Sequence, residues 1–164
     1  MEDIRSDLAG FHVAAARSAL AGLPAPGDYK VLIKPLRYRT KPSLSALCEF
    51  DLRRIVLRVP EPFLPFDELV YHSARRQPGP GLQFMWVSEK VRFRTRREVL
   101  RFLYCHEWLH WFLREMHGRR AMAETACDRF ALHHFRRPEV TVDDALVELG
   151  RCRSQPLPEL DLAA

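Results

Sequence analysis

The sequence predicts a single α+β domain with an N-terminal helix, a small and mostly antiparallel sheet, and three further helices. Apolar residues recur at helical spacing near the start and through the second half of the chain, whereas the middle carries runs of β-branched and aromatic residues. A length of 164 residues suits one hydrophobic core rather than two. We expect the domain to cover residues 1–152 and a tail without periodicity to cover residues 153–164.

One helix and several strands are predicted in the first 94 residues. The helix spans residues 6–23, with Ser6 placed to act as its N-cap. The content of β-branched and aromatic residues predicts strands over residues 29–39, 46–59 and 82–94. The second of these breaks at FDLRR as a hairpin or bulge would, and the DELVYHSARR segment fits one or two helical turns.

Three helices are predicted in the second half. The longest begins after Thr95, a suitable N-cap, and ends at Gly118. Apolar and aromatic residues cover it almost all round, which is typical of a helix buried at the centre of a domain. A second helix covers about residues 120–135, and a third begins at Thr141 and ends near Gly150.

Composition bounds the class of protein. No apolar run approaches the roughly 20 residues that span a bilayer, and the acidic start MEDIRSDLAG lacks the basic and apolar regions of a secretory signal. We therefore expect a soluble, cytoplasmic protein with no membrane partner. In that compartment cysteines stay reduced, so we expect free thiols rather than disulfides. The four cysteines are Cys48, Cys105, Cys127 and Cys152.

The chain is basic, with 26 Lys and Arg against 21 Asp and Glu and a net charge of +5. A basic surface attracts nucleic acid or an acidic partner. Arginine-rich faces of this modest charge are also common as plain solvated surface, and both interpretations stay open. The excess of positive charge is concentrated at Arg53, Arg54, Arg58, Arg75, Arg76 and residues 90–101.

The CHEWLH stretch inside the long helix has the spacing of a metal site. Positions i and i+4 of a helix share one face, so His106 and His110 can direct ring nitrogens at a single ion. Glu107 lies beside this pair without being a ligand. From there a carboxylate can take a proton from a metal-activated water and pass it to a leaving amine, which makes Glu107 the predicted catalytic residue.

A catalytic zinc ion needs a third protein ligand and one open position. The elongated motif HExxHxxGxxH is excluded, because the chain has Leu113 and Met116 where it needs glycine and histidine. A turn at residues 118–120 would instead bring a returning helix alongside the first, with Glu124 as the third ligand and Asp128 one turn later. Asp128 could then orient a ligand histidine. The alternative is that both carboxylates line a solvated face.

Two further hypotheses concern the surroundings of this site. Cys127 lies three residues after Glu124, and a thiolate in the open position would hold an enzyme inactive. Its alternative is ordinary packing as a small apolar residue. Residues 84–93 are a candidate sheet edge along which a peptide substrate could add as a strand, with an interior strand as the alternative.

The pair HEWLH and AETACDRFAL resembles the gluzincin metallopeptidases, which follow HExxH with a downstream ExxxD. The resemblance is nearest to minigluzincins and to ImmA/IrrE-type proteases, whose active helix is followed closely by a glutamate-bearing helix similar to residues 124–131. SprT-type proteases are a more distant resemblance, because their third ligand is usually a histidine. The resemblance implies a compact zincin-like fold, zinc as cofactor, and an intracellular regulatory protein, such as a repressor, as substrate.

These observations predict a zinc-dependent endopeptidase that hydrolyses peptide bonds of a cytoplasmic protein. Its metal ligands would be His106, His110 and Glu124. The alternative is a basic module that binds nucleic acid or protein and carries a zincin-like fold without catalysis.

Overall fold

The computed structural model describes residues 3–81, 83–119 and 123–153, the last three of these without their side chains. The predicted tail beyond residue 153 and part of the predicted turn at 118–120 lie outside the described residues. The α+β class is confirmed. In chain order the elements are β1 (Ile4–Ser6), α1 (Val13–Leu20), β2 (Lys30–Leu36), β3 (Ser45–Glu49), β4 (Arg54–Pro60), β5 (Phe66–Arg76), β6 (Phe84–Phe93), α2 (Arg96–Trp111), α3 (Glu124–His134) and α4 (Val142–Arg153).

The larger sheet has the strand order β1-β2-β4-β3. β2 lies parallel to both β1 and β4, and only β3 and β4 are antiparallel. The expectation of a mostly antiparallel sheet is therefore wrong. Residues 37–44 carry the chain past the position of β4, so the β3–β4 hairpin returns β4 alongside β2 in the same direction. β4 is buried along most of its length, as a central strand with parallel pairing usually is.

A second sheet consists of the antiparallel pair β5 and β6. The helical turns predicted for DELVYHSARR are wrong, since this segment forms most of β5. Phe66 and Val70 point to the core from β5, and Val91 and Phe93 do so from β6. This two-residue alternation matches a strand with one covered face, and the pairing with β6 decides between strand and helix.

The ends of two helices differ from the prediction. α1 begins at Val13 rather than at Ser6, because residues 4–6 pair with β2 as strand β1. The Ser6 hydroxyl donates to the Phe11 carbonyl at 2.7 Å instead of capping the helix. α4 continues to Arg153, beyond the predicted end near Gly150.

α2 is the central helix and packs against α1, α3, β3 and β4. Thr95 caps it as predicted, accepting the Glu98 N–H at 3.1 Å, while the Glu98 carboxylate accepts the Arg94 N–H at 2.6 Å. A single turn of π-helix, Phe112–Met116, extends α2, and Gly118 ends it with a φ of +62°. None of the described helices combines the length and the apolar character that a bilayer span needs.

Arg101 ties the ends of α1 and α3 to the middle of α2. Its side chain is buried and donates to the carbonyls of Phe135 at 2.9 Å, Ala19 at 3.1 Å and Ala21 at 2.8 Å, and to that of Arg137. Carbonyls at helix ends have no partner within their own helix, so one guanidinium satisfies several at once. This clamp fixes α3 relative to the helix that carries the histidine pair.

Replacing Arg101 with methionine should lower the free energy of unfolding by about 3 kcal/mol or more, because hydrogen bonds from a charged donor are lost and buried carbonyls are left unpaired. Denaturation in urea measures the change. Arg97→Met, an exposed position on the same helix, should change the free energy by less than about 0.5 kcal/mol. Equal effects of the two substitutions would show that the clamp contributes nothing specific.

Candidate metal centre

Three side chains from two helices converge at one point. His106 and His110 lie on one face of α2, and Glu124 is the first residue of α3. The Nε2 atoms of the two histidines are 3.1 Å apart. The Glu124 carboxylate places Oε2 3.2 Å from Nε2 of His106 and Oε1 3.3 Å from Nε2 of His110. The group could therefore hold a metal ion.

The spacing of these atoms fits a shared ligand set. Ligand atoms about 2.1 Å from a common ion are separated by roughly 3.0 Å in octahedral and 3.4 Å in tetrahedral geometry. The separation of 3.1 Å between the two Nε2 atoms lies between these values, and so do the distances of 3.2 and 3.3 Å from these nitrogens to Glu124, each to a different carboxylate oxygen. With one ligand atom from each residue, the three atoms lie within 4.8 Å of one another. Two imidazoles and one carboxylate suit zinc and other first-row divalent metals.

Asp128 lies one turn after Glu124 and contacts the other ring nitrogen of His106. Its Oδ1 is 2.8 Å from Nδ1 of His106. A carboxylate there accepts the Nδ1–H and fixes the tautomer, which leaves the Nε2 lone pair directed at the convergence point. The arrangement is the one predicted for Asp128, although its effect on metal binding stays a prediction.

The charges and hydrogen bonds around the three side chains favour a proton on His106, at the point where a metal ion would bind. Burial by itself would lower the pKa of His106, but hydrogen bonds with Asp128 and Glu124 outweigh it and raise the pKa to about 10. Burial, and then the neighbouring charge of His106, lower the pKa of His110. The hydrogen bond from His106 lowers the pKa of Glu124. The metal-free site thus pairs one imidazolium with a neutral imidazole and a carboxylate.

Glu107 is buried next to the histidine pair, with only 7 % of its surface exposed. Burial raises the pKa of Glu107 to about 7, against the opposing charge of His106. The Cys48 backbone in β3 acts against this rise and lowers the pKa of Glu107, as a nearby hydrogen-bond donor would. A carboxyl with a pKa near neutrality can both accept and donate a proton, which is the property that general acid–base chemistry needs.

The site opens into a cleft of about 710 Å³ between β3 and the two helices. Leu44, Ala46 and Phe50 line it from the β3 side, and Arg114 and Arg119 bring positive charge. The edge strand beside the site is therefore β3, and the expectation that residues 84–93 border it is wrong. Those residues form β6 in the other sheet and do not line the cleft.

Sequence reasoning missed the part played by β3 and by the two arginines. Alternation in the ALCEF segment predicts a strand, but its position at the sheet edge depends on the strand order. The Arg114 guanidinium lies 4.1 Å from the centre of the Phe50 ring. This contact joins the π-helical turn to the end of β3, and no local sequence signal indicates it.

Cys127 lies in the hydrophobic core, fully buried, and does not line the cleft. This placement favours the packing role, and an inhibitory thiolate at this position stays a prediction without structural support. Cys48 does line the cleft, and burial raises the pKa of its thiol to about 12. Neither thiol is a ready metal ligand in the metal-free chain.

Comparison with models of protein families, with curated proteins and with solved structures finds no match for the chain. The interpretation of the site therefore depends on its own geometry and chemistry.

The metal-free protein should bind one zinc ion, and zinc should raise its melting temperature because only the folded state brings the three ligands together. His106→Ala, His110→Ala and Glu124→Ala should each abolish stoichiometric binding, measured by elemental analysis after gel filtration.

Asp128→Ala should weaken zinc affinity by about 10- to 100-fold through loss of ligand orientation. Asp143→Ala, an exposed carboxylate on α4, is the matched control. Unchanged binding by the Glu124 variant would exclude this ligand set.

Zinc binding should release about one proton per ion near pH 7.5, because His106 is protonated in the metal-free chain and must lose the Nε2 proton to bind. The proton competes with the metal, so affinity should fall about tenfold for each unit that the pH drops below the His106 pKa of about 10. Calorimetric titrations in buffers of different ionisation enthalpy count the proton. Asp128→Ala should reduce the count, and wild-type binding without proton release would contradict the assignment.

Proposed function

We propose that the protein is a zinc-dependent endopeptidase of a zincin-like fold, with His106, His110 and Glu124 as ligands. The observation that carries the proposal is the position of Glu107. It lies next to a convergent histidine pair, is buried, and has a pKa of about 7 on the wall of an open cleft. A purely structural metal site has no need of a fourth, titratable carboxylate beside its ligands.

The residues divide the chemistry as follows. His106, His110 and Glu124 would hold a zinc ion, which when bound would supply an activated water and polarise the scissile carbonyl. Glu107 takes a proton at its carboxylate and later delivers it to the leaving amine, so that it acts first as base and then as acid. Asp128 accepts the Nδ1–H of His106 and holds the ring in position. Zinc is favoured over a redox metal because Glu107 gives the site a proton carrier suited to hydrolysis.

The free edge of β3 supports a peptide as substrate. β3 is the edge strand of the larger sheet and pairs with β4 on one side, and residues 45–48 of this strand line the cleft. Every second residue of an edge strand directs its backbone N–H and C=O away from the neighbouring strand. An extended peptide could pair there as an added strand beside the metal ligands. Arg114 and Arg119 in the same cleft favour a substrate segment that carries acidic side chains.

The substrate class is proposed from a resemblance. HEWLH and AETACDRFAL resemble the corresponding motifs of gluzincins, and of ImmA/IrrE-type proteases in particular. By that analogy the target is a cytoplasmic regulatory protein, such as a repressor. Fold-level analogy is a weak guide to substrate, so the reaction type is the firmer part of the proposal.

Glu107→Gln should reduce peptide hydrolysis by about 10²- to 10⁴-fold, because the amide cannot accept and return a proton. Casein with a quenched fluorescent label is a suitable first substrate, assayed with the zinc-loaded chain. Zinc content should stay stoichiometric, because Glu107 is not a ligand.

Glu115→Gln is the matched control, since Glu115 is an exposed glutamate of the same helical run that does not line the cleft. It should retain full activity. Equal activity of the Glu107 variant and the parent would refute the peptidase proposal, whatever the zinc content.

A further inference from the structure

The β5–β6 pair, called the ribbon below, has an inner face that is covered along part of its length, whereas both faces are exposed at the end that carries Phe84, Met85 and Trp86. Phe66, Val70, Val91 and Phe93 cover the core from the inner face. The alternation of side chains, together with the strand register, assigns the other face. This outer face consists of Asp67, Leu69, Tyr71, Ala74 and Arg76 on β5 and of Phe84, Trp86, Ser88, Lys90 and Arg92 on β6.

Three aromatic rings stand open on the outer face. Tyr71 is 47 % exposed, Phe84 is 45 % exposed and Trp86 is 57 % exposed. Their cross-strand neighbours leave the rings uncovered, because Tyr71 lies opposite Ser88 and Trp86 lies opposite Ala74. Within the described part of the chain, none of these rings packs against another ring. A row of exposed aromatic rings is typical of an interaction surface.

Cations surround the rings. Lys90 and Arg92 both lie 3.2 Å from the single carboxylate of Asp67, so the cluster keeps a net positive charge. Arg76 stands opposite Phe84 at the far end of the same face. Counting Arg76, Lys90 and Arg92 against Asp67, the outer face has three cations and one carboxylate, a net charge of +2.

We infer that the outer face of the ribbon binds single-stranded nucleic acid. Bases of a single strand have free π-faces that stack on aromatic side chains, and its phosphates pair with Lys and Arg. Trp86 and Phe84 lie two residues apart on one strand, a separation of about 7 Å, and Tyr71 lies on the other strand opposite Ser88, diagonal to Trp86, so two or three bases could stack at once. A duplex, whose bases are already stacked, cannot use the rings. The inference does not depend on the metal site or on peptidase activity.

The test is a fluorescence anisotropy titration of labelled 20-mers, oligo(dT) and oligo(U), with the full-length chain. Both arms report the stacking chemistry, and their difference shows whether DNA or RNA is preferred. Trp86→Ala and Tyr71→Ala should each weaken binding by roughly 5- to 100-fold, as expected for the loss of a stacked base.

Met85 provides the matched control. It is 49 % exposed, next to Trp86 in sequence, and belongs to the opposite face of the ribbon. Met85→Ala should leave binding unchanged. A melting curve of each variant verifies that the fold is retained, since all three substitutions are at exposed positions.

Charge and stacking can be separated in the same experiment. Binding should weaken with salt, and Lys90→Gln or Arg76→Gln should each reduce the slope of log affinity against log salt by about 0.7. Intrinsic fluorescence gives a second signal. Trp86 is exposed, whereas Trp108 and Trp111 are buried, so oligonucleotide binding should quench emission in the parent and much less in Trp86→Phe.

Several results would overturn the inference. These are the absence of salt-dependent binding to either 20-mer, equal affinity for a duplex of the same length, or equal losses for Met85→Ala and Trp86→Ala. Concentration-dependent dimerisation that Trp86→Ala abolishes, without any oligonucleotide binding, would assign the face to a second copy of the chain instead.

Discussion

A carboxylate at the start of α3 meets two imidazoles from the C-terminal half of α2, and the candidate site depends on how the fold holds these helices together. Glu124 contributes both carboxylate oxygens, each within 3.3 Å of one Nε2. Burial would make two imidazole lone pairs and a carboxylate costly to bring together without a cation or a proton among them. The hydrogen bond between Asp128 and His106 and the packing of α2 against α3 offset this free-energy cost.

The cleft combines groups whose environments differ within a short distance. Glu107 is buried and its pKa is raised to about 7, while Glu124 is half exposed and its pKa is lowered by His106. Two glutamates with opposite shifts can take opposite roles, one as proton carrier and one as permanent anion. β3 bears on both proposed roles of the cleft, proton transfer and peptide binding, because its backbone lies beside Glu107 and its residues line the opening.

Local patterns predicted the parts of the fold that depend on local physics. The Thr95 cap, the Gly118 end and the buried character of α2 follow from residues close in sequence. The spacing from His106 to Glu124 favoured their convergence, with a solvated position of Glu124 as the alternative. Strand order does not follow, because the parallel pairing of β2 with β4 depends on which long-range packing buries more apolar surface. The prediction of helical turns for DELVYHSARR was wrong for a related reason. Short apolar runs fit strand and helix alike until a partner strand is known. No sequence pattern indicated that Arg101 is buried and joins three helices, because an arginine in a helix is usually solvated.

X-ray absorption spectroscopy of the zinc-loaded chain tests the central claim most directly, because it reports the identity and distance of the atoms around the ion. Two imidazole nitrogens and carboxylate or water oxygens at about 2.0–2.1 Å are expected. A zinc–sulfur distance of about 2.3 Å, or a spectrum without histidine scattering, would contradict the account.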